Sequence, residues 1–286
     1  MTSGFLVVDK PTGVTSRDVV DAARRATGIR KAGHTGTLDP LATGIVVVAL
    51  GKVTRLIRFL QDGDKEYVAT AMFGVATDSL DADGEETERR PMSVTYSDLQ
   101  AVRERFLGQI DQTPPMVSAL KKDGERLYDL ARQGIEVERE PRPVTIHELE
   151  FLDVADGDFP LVTFRVVCGK GTYVRSLADD IARACGGFAH LTALRRTRNG
   201  TMDIERAVSW DELDTWADHL VSPADALEFP SVTVDSETAE RVRNGVQIDL
   251  EPDLAGLVSV CDQDGGLIAV YLAAEGRGRP EVVIPA

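Results

Sequence analysis

The sequence predicts an α+β protein: a mixed, largely antiparallel sheet flanked by helices, followed by a small β-rich module at the C-terminal end. Three observations predict it. Strand-like stretches such as "FLVVDK", "IVVVALG" and "EYVATAMFGVAT" share the first part of the chain with amphipathic helical stretches. The two kinds do not alternate strictly, which disfavours a doubly wound parallel sheet. Beyond Pro230 only short strand-like runs remain, separated by "NG", "DQDGG" and "EGRGRP". The expected division is therefore residues 1–228 and 229–286, and 286 residues suffice for one large domain and one small one.

In chain order, "FLVVDK" reads as a strand ended by Pro11 and Gly13. Ser16 is the expected N-cap of a helix through about Ala26, closed by Gly28. After the loop "GHTGTLDPLATG" comes the strand "IVVVALG", then a short basic helix in "KVTRLIRFL". "EYVATAMFGVAT" alternates as a strand, and "DSLDADGE" reads as an acidic turn-rich loop. Two amphipathic helices are expected in "SDLQAVRERFLG", capped by its serine, and in "ERLYDLARQG". Strands at about 143–153 and 160–168 follow. A helix in "GTYVRSLADDIARACGG" is bounded by glycines, and "LTALRRTRNG" returns as a strand. The region Trp210–Leu227 reads as helical.

Composition excludes several classes. No run approaches the roughly 20 apolar residues of a membrane span, and the N-terminus lacks signal-peptide character. Cys168, Cys185 and Cys261 are odd in number and far apart, so reduced thiols and a cytoplasmic location are expected. No metal site is expected, because the scattered histidines have no ligand set at zinc spacing. The net charge of −15 argues against a nucleic-acid partner only until its distribution is examined. Residues 10–60 carry nine Lys or Arg against three acids, and residues 165–206 carry eight against four. Two basic islands thus sit in an acidic chain. Their ordinary reading is solvated helix faces; if they meet, they form a basic groove.

The loop at 33–44 is the first candidate site. Asp39 precedes Pro40, which disfavours the α region for Asp39, while Gly33, Gly36 and Gly44 permit tight turns or close approach. Such a loop presents one carboxylate rigidly as a nucleophile, base or ligand. An aspartate bonding its own turn is the ordinary alternative. "CGKGTYVRSLADDIA" is the second candidate: glycines before a helix N-terminus favour anions, although a lone G-x-G lacks the spacing of a nucleotide fingerprint. The tyrosine of "KEY", opening a strand, is the third, and alone it reads as an ordinary core or edge aromatic.

Taken together, "LVVDKPTGVTS", "RKAGHTGTLDPLATGIVVVALGKVTRL", "KEYVATAMFGVATDSLDADGE", "QTPPMVSALKKDGERLYDLARQGIEVERE", "CGKGTYVRSLADDIA" and "AHLTALRRTRNG" lie in order across residues 6–200. In this ordered set the chain resembles the TruB family of RNA pseudouridine synthases, the bacterial tRNA pseudouridine-55 synthases. The resemblance implies isomerisation of a T-loop uridine of tRNA, flipped into a pocket, without any cofactor. It implies catalytic roles for Asp39 (nucleophile towards the uridine or its ribose), Tyr67 (stacking on the base and aiding loss of the C5 proton) and Arg175 (pairing with the aspartate). Tyr173 and Leu194 match pocket residues, and His34 matches a histidine that fills the RNA loop vacated by the base. Lys10 and Pro11 match a supporting motif behind the catalytic loop. The tail would be a PUA-like RNA-binding module, although its four basic residues face ten acids. The tRNA T-arm is the expected partner, with no membrane, no obligate protein partner and a monomeric enzyme.

Two other readings compete. A non-catalytic RNA binder has no use for Asp39, Tyr67 and Arg175 together. A small-molecule hydrolase built on an aspartate nucleophile needs an activated water and an oxyanion or metal site, for which the sequence offers no signal.

Overall fold

A computed structural model describes residues 3–118, 120–122, 124–127, 130, 133–135 and 137–285. The chain forms two compact units. One comprises the residues up to Asp39, Gly44–Gly63 and everything from Asn199 onward; the other comprises Pro40–Thr43 and Asp64–Arg198. The fold is the expected mixed α+β type with mostly antiparallel strands.

In the first unit the strand Gly4–Lys10 pairs antiparallel with Thr43–Leu50 along its whole length. Its residues Phe5 to Val8 are fully buried, as their apolar run requires of a strand covered on both faces. Two short strands from much later in the chain join it, Val208–Ser209 in parallel and Leu220–Val221 antiparallel. Ala32–His34 pairs with the other strand and leads into the loop that ends at Asp39.

The helix Ser16–Thr27 forms as its pattern predicts and ends on Gly28 in the left-handed region, φ 69°. Its N-cap, however, is Thr15 and not Ser16. Thr15 Oγ1 accepts from the Asp18 amide while the Asp18 carboxylate accepts from the Thr15 amide, a complete capping box. A similar correction applies to Tyr96–Arg103, where Thr95 with Asp98 forms the box and Ser97 lies inside the helix. In each case a threonine and the aspartate three positions after it satisfy two amides reciprocally, which a lone serine cannot do.

The basic segment after residue 50 is a 3₁₀ turn, Gly51–Leu56, running into a short α-helix, Ile57–Gln61. The region expected to be helical from Trp210 is instead a kinked 3₁₀ segment, Trp210–His219, then the strand Leu220–Val221 and one helical turn, Pro223–Ala226. The second strand pairing and Pro223, which suits a helix start, override the local pattern there. Of the helix expected in "ERLYDLARQG", positions 128, 129, 131 and 132 lie outside the described residues, and its expected start, Glu125–Arg126, is instead a short strand paired antiparallel with Lys121–Lys122.

Residues 231–283 fold into a five-stranded sheet ordered Ser231–Thr233, Gly256–Cys261, Leu267–Ala274, Arg277–Val283, Ile248–Asp249. This sheet shares a core with the N-terminal strands: Cys261, Leu267, Val270 and Ile284 pack in one cluster with Phe5, Val7, Ile45 and Leu56. Arg55 Nη1 donates to the Val283 carbonyl at 3.2 Å, and Arg58 Nη2 to the Glu281 carbonyl at 3.0 Å. Phe59 meets Phe229 edge to face.

The second unit is built on Lys65–Phe73, paired antiparallel with Leu161–Cys168. Arg142–Ala155 and Gly108–Gln112 extend this sheet on one side, and Ala189–Asn199 lies on the other side of Lys65–Phe73. Apolar side chains on one face, among them Ala69, Ala71, Phe164 and Val166, are buried. The helix Val174–Ala184 buries Val174, Leu177, Ala178 and Ile181, spaced three and four apart as one helical face.

Candidate active site

In the first unit the site begins with Lys10. Its ammonium is fully buried and donates to the carbonyls of Pro11, at 2.9 Å, and Val14, at 2.6 Å. A charged group can be buried when its donors are met in this way. The turn it closes leads into the Thr15 capping box. Ser16, the first helical residue, faces inward and meets Leu38. His34 ends the short strand Ala32–His34 and is half-buried. Asp39 is half-buried and follows the buried Leu38.

In the second unit, Tyr67 lies on Lys65–Phe73 opposite Val166 and is half-buried. Its neighbour Glu66 points to the other face, as alternation along a strand demands. There Arg165 clasps Glu66 Oε2 through Nε, at 3.0 Å, and Nη2, at 2.6 Å. Thr197 donates to Oε1 at 2.8 Å, and Arg165 also donates to Glu148 at 2.7 Å. Burial opposes ionisation of Glu66, but the bonds from Thr197 and Arg165 outweigh it and hold the carboxyl below its ordinary range. Four adjacent strands, the one that carries Tyr67 among them, are thus cross-linked on the face away from Tyr67.

Tyr173 is the N-cap of Val174–Ala184. Gln112, itself buried, accepts from the Tyr173 amide at 2.7 Å and donates to its carbonyl at 3.1 Å. One amide side chain therefore satisfies a helix-end N–H that no cap side chain reaches. Two residues later Arg175 is almost wholly buried. It donates to the Ser79 carbonyl at 2.7 Å and the Val117 carbonyl at 2.8 Å, and its Nη1 lies 3.0 Å from Asp81 Oδ2. Asp81 is equally buried, accepts from Ser79 Oγ at 2.5 Å, and bridges to Leu191. Leu194 is buried on Ala189–Asn199. A cavity of about 700 Å³, lined in part by Leu80, Val117, Ser176 and Asp180, opens among these elements. Burial, reinforced by Asp179, pushes the Asp180 carboxyl up to about 6.

Tyr67, Tyr173, Arg175 and Leu194 thus belong to the second unit, and Lys10, Pro11, His34 and Asp39 to the first. Sequence reasoning missed Asp81, Gln112, Glu66 and the inward role of Ser16. Asp81 stands in "DSLDADGE", where four acids close together read as a solvated turn; its own burial and its pairing with Arg175 distinguish it. Among the described residues, no cluster of three or more His, Cys, Asp or Glu side chains is arranged to hold a metal ion. No helix among them is long and apolar enough to cross a membrane.

Comparison with known proteins gives concordant matches. Residues 24–174 match the TruB family pseudouridylate synthase N-terminal domain. Residues 175–227 match the tRNA pseudouridylate synthase B C-terminal domain, and residues 229–285 the C-terminal region of tRNA pseudouridine synthase II. The chain is 45% identical to tRNA pseudouridine synthase B of Burkholderia pseudomallei over 98% of this chain and 96% of that one. It is 49% identical to tRNA pseudouridine synthase B of Symbiobacterium thermophilum over 85% of this chain and 82% of that one. Among solved structures, a chain in a crystal structure of a Cbf5-Nop10-Gar1 complex superposes with a TM-score of 0.75 at 27% identity, covering 98% of this chain and 83% of the other.

Proposed function

The chain belongs to the TruB family of pseudouridine synthases, and from that premise we propose that it isomerises the T-loop uridine at position 55 of tRNA to pseudouridine. The reaction breaks the N1–C1′ bond, turns the uracil and forms a C5–C1′ bond; C5 loses its proton and N1, freed from the ribose, gains one. Atoms and electrons balance within the nucleoside, so neither a redox partner nor a group donor is required.

A uridine in a folded loop must leave the stack before its ring or ribose can be attacked, at a cost of a few kcal/mol. In this reading Asp39 is the nucleophile, towards the uridine or its ribose. Arg175 supplies positive charge that favours the ionised carboxylate. Tyr67 stacks on the flipped base and assists removal of the C5 proton, with Tyr173 and Leu194 lining the pocket. His34 fills the RNA loop that the base has left, and Lys10 with Pro11 supports the loop from behind. The C-terminal five-stranded sheet is a PUA-like module that steadies the catalytic part of a monomeric enzyme. The partner is the tRNA T-arm, gripped mainly by shape and phosphate contacts in the cytoplasm.

The observation that carries the proposal is the setting of Asp39: a half-buried carboxylate whose preceding residue is buried and held by a side chain through its backbone N–H and C=O. A nucleophile needs that restraint. Asp39→Asn keeps the size of the side chain and removes its charge. It is expected to bind tRNA as wild type does and to form no pseudouridine, scored by mapping position 55 after incubation with unmodified tRNA. Full activity in this variant would sink the nucleophile assignment.

A further inference from the structure

We propose that Ser16 is a positioning residue for Asp39, acting through the main chain of Leu38. The proposal rests on the reading of Asp39 as the nucleophile and concerns a residue to which that reading assigns no role.

Ser16 is 3% exposed, and its hydroxyl uses both of its capacities on a single residue 22 positions away. It accepts from the Leu38 amide at 2.7 Å and donates to the Leu38 carbonyl at 3.0 Å. A hydroxyl has one proton to donate and lone pairs to accept, so both bonds are satisfied together. The Leu38 amide lies in the peptide plane shared with Thr37, and the Leu38 carbonyl lies in the plane shared with Asp39. Fixing both planes fixes the two soft dihedrals of Leu38 and hence the position of the Asp39 Cα. On the far side, Pro40 confines Asp39 to the extended region. The carboxylate then has little freedom beyond its own side-chain torsions.

The other elements of the first unit support this restraint. Thr35, three residues before Leu38, donates its amide to the Val47 carbonyl at 3.0 Å, and its hydroxyl accepts from Asn199 Nδ2 at 2.9 Å. Both side chains are buried. The segment 35–38 is therefore pinned near each end by side chains from outside it. Ser16 is itself held, because Lys10 closes the turn before the helix and Thr15 with Asp18 caps the helix start. A serine used as an ordinary N-cap would point its oxygen at its own helix; Thr15 does that work and leaves Ser16 free for Leu38.

The test compares full-length Ser16→Ala, Ser16→Thr and Ser16→Cys with wild type and Asp39→Asn on one unmodified tRNA. It reads the single-turnover rate of pseudouridine formation, tRNA affinity and Tm. Misplacement of a reacting group by about 1 Å costs on the order of 10²-fold, so Ser16→Ala should lose about that much rate while tRNA affinity stays at the wild-type level. Ser16→Thr keeps the hydroxyl and should restore most of the rate. An unchanged rate in Ser16→Ala overturns the proposal. So does a parallel fall of rate, affinity and Tm that threonine does not rescue, which marks a merely structural residue. If the alanine variant does not fold, cysteine decides: it keeps the size of serine but hydrogen-bonds weakly, and a full rate in a folded Ser16→Cys overturns the proposal. Wild type inactive on tRNA, or an active Asp39→Asn, refutes the functional reading; those outcomes are distinct from an active Ser16→Ala beside an inactive Asp39→Asn.

Discussion

Arg175 and Asp81 form a buried ion pair, with Nη1 3.0 Å from Oδ2 and each residue 5% exposed. Two main-chain carbonyls, from Ser79 and Val117, take further protons of the same guanidinium. Breaking a buried pair by removing one partner leaves a charge without compensation and costs about 3–5 kcal/mol. Asp81→Ala should therefore lower the stability of the chain by about that amount in urea titrations. Asp81→Asn, which still accepts a hydrogen bond, should lose less. An alanine variant as stable as wild type would show that Asp81 does not neutralise Arg175.

Tyr67 is expected to serve chemistry more than affinity. Tyr67→Phe removes only the hydroxyl and keeps the ring. If that hydroxyl assists proton transfer, the single-turnover rate should fall by about 10²–10⁴-fold with little change in tRNA affinity. Equal losses in rate and affinity would argue for a binding role instead.

The basic islands predict the salt response. Phosphate contacts release counterions, so tRNA affinity should fall by orders of magnitude between about 50 and 200 mM monovalent salt. Filter-binding or fluorescence titrations across that range give the slope. A flat response would count against a phosphate-gripping groove.

Asp180 predicts a pH effect on stability. Its carboxyl is raised to about 6 by burial and by Asp179, above the ordinary value of 3.8 it has when unfolded. A raised carboxyl binds its proton more tightly in the folded state. The stability it contributes is thus present below about pH 4 and is lost as pH rises through about 6. Asp180→Asn, which cannot ionise, should gain Tm over wild type at pH 7 and match it near pH 4. An identical difference at both values would contradict the shift.

Much of this was legible from sequence, and the reasons are local. Alternation in "EYVATAMF" and the apolar run "IVVVALG" report directly on strand burial, and Gly28 reports on a helix end. The candidate loop was legible because Gly, Asp and Pro constrain the backbone wherever they stand. What was not legible depends on partners distant in the chain. Nothing about "DSLDADGE" says that one of its acids meets an arginine some 90 residues later. Gln112 gives no sign that it will cap a helix. Ser16 and Thr15 both favour caps, and the choice falls to Thr15 because Asp18 stands three residues after it. The helical reading of Trp210–Leu227 failed where pairing with Gly4–Lys10 draws Leu220–Val221 into the sheet.

The first unit is assembled from both ends of the chain, and this bears on how the protein is made. Gly4–Lys10 is translated early, yet Val208–Ser209 and Leu220–Val221, which pair with it, are translated some 200 residues later. Asn199, which holds Thr35, also arrives late. At ordinary elongation rates of about 5–20 residues per second the delay is on the order of 10 to 40 seconds. During that interval the nascent chain carries "GHTGTLDP" without one of its anchors. The loop gains this anchor only once Asn199 has been made, so a chain terminated before that residue would carry Asp39 on a loop that lacks the hydrogen bond to Thr35.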